Sequence, residues 1–123
     1  MEYEPIAFIG EEIAVEFVAS PALAKKPGCP DAMLWRETRH AIVARLAEWH
    51  DYRRRGRMAR NMRAEHAARA AQRGSWGVGR DFYRVRTREG RIFEIYYDRA
   101  PRDAYRRGGS WHLFRELRER MEQ

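Results

Sequence analysis

Hydrophobic residues in much of this chain recur at every second position, the period of a half-buried β-strand. In IAVEFV, residues 13 to 18, Ile13, Val15 and Phe17 alternate with Ala14 and Glu16, which predicts a first strand. The next thirteen residues, ASPALAKKPGCPD, hold three prolines and one glycine and predict an irregular loop held by fixed φ angles. AMLWRETRHAIVARLAEWHDY follows. It predicts a strand near 33–36, a tight turn around Glu37, and a longer strand from Arg39 to Trp49 with Ile42, Ala44 and Leu46 on one face. Alanine, leucine, arginine and glutamate also give 39–49 a helical propensity; the strand is the preferred reading. The clearest signal is DFYRVRTREGRIFEIYYD. Tyr83, Val85 and Thr87 alternate with Arg84 and Arg86, REG supplies a turn, and Phe93, Ile95 and Tyr97 alternate with Glu94 and Tyr96, which predicts a β-hairpin in which Arg84 or Arg86 faces Glu94. In WHLFRELRERM, Trp111 and Leu113 suit a strand, whereas Trp111, Phe114, Leu117 and Met121 suit a helix capped by Ser110. The expectation is a closing strand that passes into a short helix or tail.

The period breaks between Met58 and Gln72. Six alanines and no proline, glycine or β-branched residue favour a helix there. Its apolar side is thin, a stripe of Ala64, Ala67, Ala68 and Ala71 with Met58 and Met62, so such a helix buries little and belongs on the surface. Gly74 suits the left-handed position that ends it. The expected fold is therefore mainly β, of the α+β class: a small bent antiparallel sheet or barrel of about five strands, with one Arg/Ala-rich helix inserted before the final hairpin. The expected core is Val15, Phe17, Leu34, Ile42, Leu46, Val85, Phe93, Ile95 and Trp111.

The 123 residues suit one domain, 1–123, long enough to bury a core without disulfides or structural metal. No apolar run approaches the roughly 20 residues of a membrane span, and MEYEPIAFIG lacks a charged-then-apolar leader pattern, so a cytoplasmic protein without membrane contact is expected. The single cysteine, Cys29, agrees with a reducing compartment. Charge changes the picture more. Between Arg53 and Arg73 stand eight arginines, at 53, 54, 55, 57, 60, 63, 69 and 73, against one acid, Glu65. That excess of seven positive charges equals the formal net charge of the chain, so the rest is neutral and the basicity belongs to one segment. Only two of the 25 basic residues are lysines, Lys25 and Lys26, so arginine by itself says little and its clustering without acids says more.

The succession AIVARLAEWHDYRR, FYRVRTREGRIFEIYYDR and SWHLFREL, spanning roughly 39 to 116, resembles a small bacterial domain family. That family occurs alone and, in a shorter form, at the carboxyl end of the catalytically inactive Y-family polymerase homologue of the bacterial mutasome. This chain departs from the shorter form by its longer alanine-rich segment and by the amino-terminal FIGEEIAVEFVASPALAKKPGCP. The resemblance implies a DNA-repair or lesion-tolerance setting and carries no assigned chemistry.

Candidates for catalysis are thin. His40, His50, His66 and His112 have no spacing that puts two on one helix face, and no HExxH motif or cysteine pair accompanies them, so neither a metal nor another cofactor is expected. GSWGVGR has the glycines of a phosphate loop, but the expected helix precedes it and a strand follows, the reverse of that motif. His50, Asp51 and a serine at 75 or 110 share only residue identity with a hydrolytic triad. No enzyme is expected. The basic segment fits nucleic acid better: Arg53, Arg54, Arg55, Arg57, Arg60 and Arg63 would contact phosphates and release counterions, while Trp49 or Tyr52 would stack on bases. Arginines spread over several helix faces follow a backbone better than they read base edges in one groove, so a single strand or DNA of low specificity is the expected ligand. The competing reading is a protein-interaction module that recruits an acidic partner through the same helix.

Overall fold

The computed structural model describes residues 2–18, 28–51, 79–100 and 108–120. Six strands run through them: β1 Tyr3–Glu16, β2 Ala32–Trp35, β3 Thr38–Asp51, β4 Arg80–Thr87, β5 Ile92–Asp98 and β6 Ser110–Glu119. Each pairs antiparallel with the next, and β1 also pairs with β6, so the sheet closes into a barrel with no free edge. A two-residue turn links β2 to β3, with Arg36 and Glu37 both in the left-handed region at φ 49° and 66°, the backbone of a type I′ hairpin built without its usual glycine. The β4–β5 turn closes where the Gly90 amide donates to the Thr87 carbonyl at 2.9 Å, with Gly90 at φ 87°.

The alternating pattern places one side chain in two inside. Ile13, Met33, Trp35, Tyr83, Val85, Phe93, Ile95, Tyr97, Trp111 and Leu113 form the buried core. Of the expected core residues, Val85, Phe93, Ile95 and Trp111 belong to it, Val15, Phe17 and Ile42 pack partly buried against it, and Leu46 is half-buried. Leu34 corrects that expectation. It is 37% exposed because its neighbours Met33 and Trp35 take the inward positions of β2.

The fold class is also corrected. Among the described residues all regular structure is strand, six and not about five, in one closed antiparallel sheet, so the fold they form is all-β and they include no helix. The stretch expected to form a helix before the final hairpin, Met58–Gln72, lies outside the described residues. The physical reason is that β3 pairs directly with β4 and β1 with β6, so the barrel closes without a helical layer. The first strand was expected too short at its amino end, since β1 begins at Tyr3 and not near Ile13. Register shifts between Pro5 and Ala7 and between Phe8 and Glu11 break its alternation, and such bulges bend a strand around a barrel. The same device explains the false helical spacing in the last element, which is strand throughout. Leu113 pairs with Ile95 and Arg115 with Glu94, leaving Phe114 as the extra residue that shifts Leu117 to a helix-like distance.

Gly109 precedes β6 at a close approach. Its amide donates to the Tyr97 hydroxyl at 2.9 Å, and a Cβ placed there would stand 1.9 Å from the Asp98 carbonyl oxygen. Gly109→Ala should force the β5 and β6 backbones apart and lower the unfolding free energy by about 2–3 kcal/mol, measurable by urea unfolding.

Candidate nucleic-acid interface

Closure of the barrel aligns the outward-facing residues of neighbouring strands in rows. Trp49 pairs with Phe82, Phe82 with Tyr96, and Tyr96 with His112, so four rings from β3, β4, β5 and β6 stand in one line across the outer face. Trp49 and Phe82 stack nearly parallel, with centroids 5.3 Å apart and 4° between planes. Tyr96 lies 5.1 Å from Phe82 and stacks on His112 at 4.9 Å. The bulged Phe114 joins the line to β1, 6.2 Å from Phe82 and 5.6 Å from Phe8.

The next row is charged. Arg84, Glu94 and Arg115 pair across β4, β5 and β6. The Glu94 carboxylate is fully buried and accepts from Arg84 Nη2 at 2.8 Å and from Arg115 Nε. Two guanidinium groups on one carboxylate leave this cluster with one net positive charge. Their faces lie against rings, Arg84 5.6 Å from Trp49 and 4.9 Å from Tyr3, Arg115 5.2 Å from Phe114. Between the two rows opens a groove of about 600 Å³, lined by Trp49, His50, Asp51, Phe82, Phe114 and Arg115 above Glu94.

One end of the barrel is locked beneath this surface. Asp81, fully buried on the inner side of β4, accepts from Arg99 Nε at 3.0 Å and Nη2 at 3.3 Å and lies 2.5 Å from His50 Nδ1. The Arg99 amide donates to the Gly79 carbonyl at 2.9 Å, so this cluster ties together the end of β3, the start of β4 and the exit of β5. Asp51 pairs with Arg80. The connection that carries the eight arginines therefore leaves and rejoins the barrel at adjacent positions, beside the Trp49–Phe82 stack.

Of the residues expected to bind, Trp49 is half-buried on the outer face and begins the aromatic row. Tyr52, Arg53, Arg54, Arg55, Arg57, Arg60 and Arg63 lie outside the described residues, as do Trp76, His66 and Ser75. The partners around Trp49 were missed: Phe82, Tyr96, Phe114 and Arg115. DFYRVR carries aromatic residues on both faces of one strand, and that doubled pattern was the available signal. Of the two arginines expected to face Glu94, Arg84 does so, and Arg86 pairs with Glu119. Among the described residues no group of three His, Cys, Asp or Glu side chains is placed to hold a metal ion. His50 turns to Asp81, away from any arrangement with Ser110, whose hydroxyl lies 2.8 Å from His112 Nε2.

The unit so described is a recurring one. A family model described as a domain of unknown function, DUF6504, matches residues 3–118. The chain belongs to this family. The match starts with the first residue of β1 and runs to the penultimate residue of β6, so the DUF6504 unit is the whole barrel together with its arginine-bearing connection. No curated protein and no solved structure matches the chain.

Cys29 of this DUF6504 domain packs against the core near Tyr83 and Glu48, and burial pushes its thiol up to about 11. Burial raises the Tyr83 phenol as well, with Glu48 and Asp81 adding to the shift. Below pH 8 Cys29 should carry little thiolate and react with iodoacetamide on the order of 100-fold more slowly than an exposed thiol, recovering the difference in urea.

Proposed function

We propose that this domain binds nucleic acid without catalysing a reaction, contacting phosphates through Arg53, Arg54, Arg55, Arg57, Arg60 and Arg63 and bases through Trp49 and Tyr52. The supporting observation is the Asp51–Arg80 pairing, which attaches both ends of the basic connection next to Trp49 and Phe82. Covalent reach alone keeps Arg53 within about 7 Å of Asp51 along the chain. The charge balance points the same way. Outside the window the acidic and basic residues cancel, and Arg80, Arg84, Arg86 and Arg115 on the outer face are engaged by Asp98, Glu94 and Glu119. The formal net charge of the chain therefore lies in the connection, and a charge so concentrated suits an extended polyanion.

The resemblance to the carboxyl-terminal domain of the mutasome protein favours DNA repair or lesion tolerance as the setting, with the domain as an accessory that holds DNA. Fluorescence anisotropy of labelled oligonucleotides against the folded chain, across a salt series, tests the reading. Binding of several unrelated sequences with similar affinity and a steep loss with salt is expected. No binding at low salt would return the basic segment to an acidic protein partner.

A further inference from the structure

We propose, resting on the nucleic-acid reading above, that the ligand is single-stranded, and that the outer aromatic row is the platform for its unpaired bases, one of which enters the groove between Trp49 and Phe114. The barrel offers such a ligand ring surface more than charge. Arg80, Arg84, Arg86 and Arg115 on its outer face are engaged by carboxylates, whereas the half-buried Trp49 and Phe114 and the exposed Phe8 present ring surface around the buried Phe82 that links them. Phe8, at the far end, is 75% exposed, an expensive position for a phenylalanine whose ring meets Phe114 edge to face and lies over Gly10.

A duplex hides the faces of its bases, so a row of rings on a convex surface meets only backbone. An unpaired strand turns its bases outward and lays them on successive aromatic side chains. The groove of about 600 Å³ is of the size of small-molecule sites and has aromatic walls, with polar groups at its base. Of those polar groups Glu94 and Arg115 are paired, with Arg84 on the same carboxylate, and His50 lies on Asp81. A base would be gripped by its face and not read by its edge, which fits weak sequence preference. The basic connection starts after Asp51, at the same end of the row.

The test compares short oligothymidylate, oligouridylate, a duplex and an abasic strand of equal phosphate number, each titrated into the full chain at one salt concentration. The expected result is that at least one of the two base-bearing single strands binds about tenfold more tightly than the abasic strand and the duplex. Phe8→Ala, at an exposed site that should not disturb folding, and Trp49→Leu should each remove most of that preference while leaving abasic binding unchanged. A preference for the thymidylate or the uridylate identifies DNA or RNA as the source of the bases. Equal binding of all ligands, or variants that weaken abasic and base-bearing strands alike, would overturn the stacking platform and leave phosphate binding standing. Absence of binding to every ligand would overturn both readings.

Discussion

Asp81→Asn is expected to lower the unfolding free energy by about 3–5 kcal/mol, the largest stability loss of any single polar substitution in the barrel. Asp81 and Arg99 are 1% and 7% exposed, joined by two hydrogen bonds, and His50 lies on the same carboxylate. Removing the negative charge takes the carboxylate away from a guanidinium that has little access to water. Glu94→Gln should cost less, because Arg84 and Arg115 are 25% and 33% exposed and can turn to solvent. Replacing both members of the deeper pair, as in Asp81→Asn with Arg99→Met, should recover part of the loss, since no buried charge is then left alone. Urea unfolding of the three variants checks the order. A cost below about 1 kcal/mol for Asp81→Asn would mean that the pair is not the lock at this end of the barrel.

The quadruple variant Arg53→Ala, Arg54→Ala, Arg55→Ala and Arg57→Ala should cut nucleic-acid affinity on the order of 100-fold at moderate salt and reduce the slope of log affinity against log salt by about 3–4. Each phosphate contact contributes about one unit to that slope, and these four arginines stand nearest in sequence to Asp51 and the aromatic row. The barrel should be unaffected, because its strands begin and end outside the altered stretch; an unchanged thermal midpoint is the control. An unchanged slope with lost affinity would mean that the four side chains act by some other route than phosphate neutralisation.

Where a strand keeps its alternation, the residues alone locate it. The β4–β5 hairpin was legible as far as an arginine of β4, Arg84 or Arg86, facing Glu94, and the β2–β3 turn to its position at Glu37. Where a bulge inserts a residue, the period is lost even though the strand continues. Phe114 made β6 look helical, and the shifts at Pro5 and Phe8 hid ten residues of β1. Closure was legible only as one of two alternatives, a bent sheet or a barrel, because the choice depends on β1 meeting β6 across the whole chain. The same long-range pairing builds the aromatic row. Trp49 was singled out from its place beside the arginines, but its partners come from strands as distant in sequence as Phe114 and Arg115, and only the register brings them into line.

Amide chemical-shift mapping of the isotopically labelled chain with a short oligothymidylate is the most direct measurement. The expected perturbations concentrate on Trp49, Phe82, Tyr96 and Phe114 and on the arginines that follow Asp51, and spare Glu37 and Glu89 at the opposite end of the barrel. Perturbations centred on that opposite end, or none at saturating oligonucleotide in low salt, would contradict a nucleic-acid interface on this face.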